Sequence, residues 1–107
     1  MNAYFCFASP REVLVEYIQD VYPRYEIEMP CACVVAPTRN AAKYIFHKNH
    51  YFKDYVEYHD VRTRKLCSDA QEPPREIGWD DAEYRRLNNL VYIAESKHPI
   101  SFKEEGE

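Results

Sequence analysis

The alternation of apolar and polar positions changes period several times along this chain, and each change predicts an element. Residues 2–8, NAYFCFA, are a short β-prone run. From Ser9 the pattern turns helical. Val13, Leu14, Tyr17, Ile18 and Val21 fall on one stripe, Ser9 stands at a capping position, Pro10 suits the first helical residue, and Glu12 completes a capping box. Pro23 stops the pattern, so a helix is predicted over 10–21. Residues 26–36, EIEMPCACVVA, read as a strand ending in a continuous apolar run, hence central or covered on both faces, with Pro30 at its start or at a bulge.

The next helix is predicted to open at Thr38 as cap, with Ala41, Ala42, Ile45 and Phe46 on its buried side. A loop over 50–54 leads to a strand over 55–67 rich in aromatic and β-branched residues. Residues 68–78, SDAQEPPREIG, read as a flexible linker. Asp80 and Glu83 repeat the capping-box spacing. Ala82, Leu87, Leu90, Val91 and Ala94 then carry helical periodicity to about residue 95. The segment ISF in the tail predicts a further short strand.

The order is thus β-α-β-α-β-α. It predicts an α/β domain, with α+β as the alternative: a three- or four-stranded sheet with three helices on one or both faces. A helix between the second and third strands favours a parallel pair with a right-handed crossover, and the loop at 50–54 leaves an antiparallel return open. The 107 residues suffice for one domain spanning 1–107.

Composition narrows the function classes. Hydrophobic residues are 46% and charged residues 30% of the chain, a globular balance. No apolar run is long enough to span a bilayer, and the first residues lack the basic flank of a signal peptide, so a cytoplasmic protein is expected. A net charge of −4 argues against a general nucleic-acid binder. The two glycines, Gly78 and Gly106, lie in no strand-to-helix turn, so neither a P-loop nor a dinucleotide fingerprint is present.

Four cysteines and four histidines are the candidate ligands and nucleophiles. Cys6, Cys31 and Cys33 lie in apolar runs and read as reduced core thiols, with Cys67 the fourth. Cys31 and Cys33 would share one strand face with sulfurs about 6–7 Å apart, too far for one tetrahedral ion. Neither a metal nor a cofactor is therefore expected, and no residue is placed by spacing beside a base, so the chain is not read as an enzyme.

Two surface sets remain. Tyr51, Phe52, Tyr55 and Tyr58 crowd one loop and strand start, and Asp80, Asp81 and Glu83 sit at a helix start expected to be exposed. Together they predict a partner-binding face of aromatic anchors and acidic rim. Arg39, Lys43, Arg62, Arg64 and Lys65 form the alternative, an anion or nucleic-acid site. In an ideal strand Arg62 and Arg64 share a face and point outward, because Val61 and Cys67 on the other face have area to bury. A solvated face explains these cations as simply as a site does.

The motif formed by Ala36, Thr38, Arg39, Ala42, Lys43 and Tyr44, followed by Asp60, Val61, Arg62, Arg64 and Lys65, resembles a loose group of small phage and prophage accessory proteins, anti-CRISPR inhibitors among them. The resemblance covers residues 31–67. It implies a non-enzymatic protein that binds and inhibits a host protein or ribonucleoprotein complex, such as a defence complex. A small nucleic-acid or anion binder is the second expectation. A metal- or cysteine-dependent enzyme is the third.

Overall fold

The structure, a computed structural model, describes residues 1–9, 11–15, 24–28, 30–49 and 56–97, with the backbone alone for 11–15 and 24–28. It is a small compact α+β domain. Its described elements are β1 (Asn2–Phe7), β2 (Arg11–Val15), β3 (Arg24–Glu28), β4 (Cys31–Ala36), α1 (Arg39–Lys48), β5 (Arg62–Cys67), β6 (Arg75–Glu76) and α2 (Tyr84–Lys97).

A four-stranded sheet in the order β5-β1-β4-β6 forms the middle layer, and every pairing in it is antiparallel. β1 is central, with Phe5 opposite Cys33 on one side and Arg64 on the other. Strand alternation then divides the core. Tyr4, Cys6 and Ala8 face one way with Val34 and Ala36 of β4, and pack on Ala42 and Phe46 of α1. Ala3, Phe5 and Phe7 face the other way with Cys33 and Val35, and pack with Leu87 of α2. Both faces of the sheet are therefore covered, each by one helix. That double burial is why NAYFCF and CACVVA are apolar at successive positions.

Among the described residues two helices stand where three are expected. The predicted helix at 10–21 is a strand over Arg11–Val15, paired antiparallel with Arg24–Glu28 in a separate two-stranded sheet, and the remainder of that prediction lies outside the described residues. The stretch REVLV fits both periods, and Val13 and Val15 are β-branched, so an available partner strand decides the outcome. The strand expected at 26–36 is two strands. Pro30 separates them, and its carbonyl accepts from the Ala8 amide at 3.0 Å. The parallel pair is also corrected. β4 and β5 run the same way but lie on either side of β1, so the β4-α1-β5 crossover spans an intervening antiparallel strand.

α1 matches its expectation: Thr38 Oγ1 accepts from the Ala41 amide at 3.1 Å, Ala42 and Phe46 are buried, and Ala41 and Ile45 are half-buried. The strand expected at 55–67 begins only at Arg62, because Tyr58–Asp60 form a single 3-10 turn. Residues 68–78, read as a linker, carry β6, whose Glu76 and Arg75 pair with Val34 and Val35, and they bury Ala70 and Ile77. The loop at 50–54 and the ISF strand lie outside the described residues. Among the described residues, no helix is long and apolar enough to cross a membrane.

Candidate binding surfaces

α1 is amphipathic, so its geometry fixes what faces away from the sheet. With Ala42 and Phe46 inward, Asn40, Tyr44, His47 and Lys48 fall on the outer side. Tyr44 is 60% exposed and Tyr58 39%. Tyr58, in the turn before β5, lies along this side. Its ring meets His47 edge-on at 5.8 Å between centroids, and its hydroxyl donates to the Asn40 carbonyl at 3.4 Å. Lys48 Nζ sits 5.4 Å from the Tyr44 ring centre. Arg39 and the half-buried Lys43 extend the surface toward β5, and Arg39 Nη1 donates to Thr63 Oγ1 at 2.8 Å and to its carbonyl at 3.0 Å. The result is an aromatic and cationic strip on one helix. Tyr58 is the described member of the predicted aromatic set, and it stands at the surface rather than in the core. Tyr51, Phe52 and Tyr55 lie outside the described residues.

The predicted acidic rim is placed differently. Asp80 is exposed, but Asp81 is gripped by Arg75 through two bonds of 2.6 and 2.9 Å, and Glu83 is buried and paired with Arg86 at 3.2 Å. In place of the capping box expected from Asp80 and Glu83 stands a single cap: Asp81 Oδ1 accepts from the Glu83 amide at 2.9 Å, just ahead of α2, which begins at Tyr84. Arg75 beside it holds the Asp81 carboxyl down at about 2, and the same guanidinium donates to the carbonyls of Gln71 and Pro73. Asp81 thus serves the fold as the anchor of β6 to α2.

The alternative basic set is split by the sheet. Thr63 and Lys65 pair with Cys6 and Tyr4, whose side chains face α1, whereas Arg62 and Arg64 pair with Phe7 and Phe5, whose side chains face α2. Arg64 Nη1 reaches the Ala94 carbonyl of α2 at 3.4 Å. Arg39, Lys43 and Lys65 can thus serve one surface, and Arg62 and Arg64 belong to another.

The thiols do not form a reactive group. Burial pushes Cys6 and Cys33 up to about 12, and burial also raises Cys31 and Cys67. Cys6 and Cys33, so placed, stay protonated and are poor nucleophiles. All four are free; Cys6 and Cys33 are buried, while Cys31, expected in the core, is exposed at the first residue of β4. No group of three or more His, Cys, Asp or Glu side chains converges on a metal position among the described residues.

A second surface escapes the sequence reading. Trp79 is 83% exposed and Tyr92 72%, and Arg85 lies exposed between them on the outer side of α2. Helical periodicity alone places Arg85 and Tyr92 two turns apart on one side, opposite Leu87, so the signal is present in the sequence. With these surfaces established, comparison with known proteins gives no relative: no family, no curated protein and no solved structure matches this chain.

Proposed function

We propose that this chain works by binding, and that the outer strip of α1 is where a host protein or ribonucleoprotein complex docks. One observation carries the reading: Tyr44 and Tyr58 stand at the surface side by side with His47 and Lys48, instead of filling the core. Exposed tyrosines beside cations are the residue types that anchor interfaces, because each ring gives large contact area and a polar tip at little entropic cost. The resemblance of residues 31–67 to phage accessory proteins adds the biological form, an inhibitor of a host complex such as a defence complex. The partner patch has acidic character, since Arg39, Lys43 and Lys48 line the strip.

The experiment is affinity capture from a bacterial lysate with the native chain and with Tyr44→Ala/Tyr58→Ala, followed by calorimetry on the captured complex. The double variant should keep its melting temperature within a few degrees and lose at least about 2 kcal/mol of affinity. Unchanged affinity, or loss of stability and binding in step, overturns the reading.

A second reading is favoured by the same cations. Arg39, Lys43, His47 and Lys48 lie along one helix with two exposed rings, an arrangement that suits a single nucleic-acid strand. Anisotropy with a labelled single-stranded oligonucleotide decides between them. Sub-micromolar binding at physiological salt, lost in Lys43→Ala/Lys48→Ala with a shallower salt slope, would place nucleic acid first.

A further inference from the structure

We propose that α2 is the seam of a homodimer, with the helix of a second copy lying antiparallel across its outer side and the two-fold axis passing between Asn88 and Asn89. The inner side of α2 is taken up by Leu87, Leu90 and Val91 against the sheet. The outer side carries Arg85, Asn88, Asn89, Tyr92 and Ser96, all exposed, at the spacings of a single helical stripe. Tyr92 at 72% exposure is a large ring left in water.

What selects a second copy as the occupant is the symmetry of this stripe. A two-fold axis sets each residue opposite the one equally far beyond the axis. Arg85 is as far before the Asn88–Asn89 peptide as Tyr92 is after it. Each guanidinium then meets the tyrosine ring of the other copy, and the contact is made twice. Asparagine suits the axis itself, because its amide both donates and accepts and so can pair with its own image, which a carboxylate or an ammonium cannot. Opposed helix directions bring the end bearing Asp80 level with Lys97 of the second copy, so charge and helix dipole agree. Arg85 is also apart from the ion pairs that hold Arg75 and Arg86.

Trp79 shares a surface hollow with Ala82, Arg85 and Asn88, so it extends the seam at its edge. Two Tyr92 and two Trp79 rings, at about 150–250 Å² each, supply about 600–1,000 Å², and the Arg85, Asn88 and Asn89 contacts add to that, which reaches the low end of specific interfaces. An interface of that size suits a reversible dimer rather than an obligate one.

Sedimentation equilibrium on the full chain, run up to about 0.5 mM, tests this. The 12.8 kDa chain should shift to twice that mass with concentration. Arg85→Glu should raise the dissociation constant at least about tenfold with an unchanged melting curve, since none of the ion pairs among the described residues uses Arg85. Crosslinking fixes the geometry. In a Cys31→Ser background, Asn88→Cys should form an intermolecular disulfide on mild oxidation, because the two copies of position 88 flank the axis. Ser96→Cys should not, because its two copies lie more than about 20 Å apart. A chain that stays monomeric throughout, a dimer indifferent to Arg85→Glu, or equal crosslinking at both positions overturns the proposal.

Discussion

Replacing Arg75 by methionine should release the clamp that holds β6 to the start of α2, and its cost can be worked from the geometry. The two partners expose 24% and 15% of their side chains, so this fork is shielded more than an ordinary surface pair. Arg75 holds the Asp81 carboxyl at about 2 against an ordinary 3.8. A shift of that size corresponds to about 2 kcal/mol at full strength, and residual solvent contact reduces it to about 1–2 kcal/mol. Asp81→Asn removes the charge but keeps an oxygen for the Glu83 amide. Asp81→Ala removes both and should cost about 1 kcal/mol more. Urea unfolding of the native chain, Arg75→Met, Asp81→Asn and the double variant closes a cycle whose coupling should be about 1–2 kcal/mol. Because the folded carboxyl titrates below its unfolded value, the contribution is complete above 3.8 and disappears as pH falls through about 2. The gap between native chain and Arg75→Met should close over that window. A coupling below about 0.3 kcal/mol, or a gap that does not narrow in acid, would refute the reasoning.

Other outcomes follow from the two cores and the thiols. Phe46→Ala empties a fully buried site between α1 and the sheet and should cost about 3–5 kcal/mol in chemical denaturation. Thr38→Ala removes the cap of α1 and should cost about 1 kcal/mol. Cys31 should react with a thiol reagent in the native state, whereas Cys6 and Cys33 should react only on unfolding. Since those two thiols titrate at about 12 in the fold against 9.0 outside it, the stability they confer is complete below 9 and declines as pH rises toward 12, which alkaline melts will show.

Much of the frame is legible in the chain itself. The Thr38 cap with Ala42 and Phe46 inward marks α1, and the unbroken apolar runs of β1 and β4 mark strands covered on both sides. What is hidden depends on partners distant in sequence. Arg75–Glu76 is too short to show a period, and its strand state comes from the exposed edge of β4, with Ile77 donating to the Cys33 carbonyl at 2.8 Å. Arg11–Val15 satisfies helical and strand periods alike until Arg24–Glu28 is laid beside it. The direction of β5 depends on β1 lying between it and β4, which no local pattern encodes. At the surface, Asp81 and Glu83 look free in sequence because Arg75, Asp69 and Arg86, which occupy them or their neighbours, act through the fold. Tyr44 and Tyr92 were readable by periodicity, since each lies opposite a buried helical position.

The central place of β1 has a consequence in time. Of the described strands it leaves the ribosome ahead of its partners, and its outer partner β5 is not complete until Cys67, some sixty residues later. At about 5–20 residues per second, a ribosome leaves this apolar strand open along one edge for several seconds, about 3–12 s. Through that interval it has β4 as a neighbour for only part of the time and α2 to shield its far face for none of it. The nascent chain therefore passes through a stage in which a sticky ribbon is on display, and its yield in a cell should respond to elongation speed and to chaperone supply more than the finished domain's stability alone would suggest.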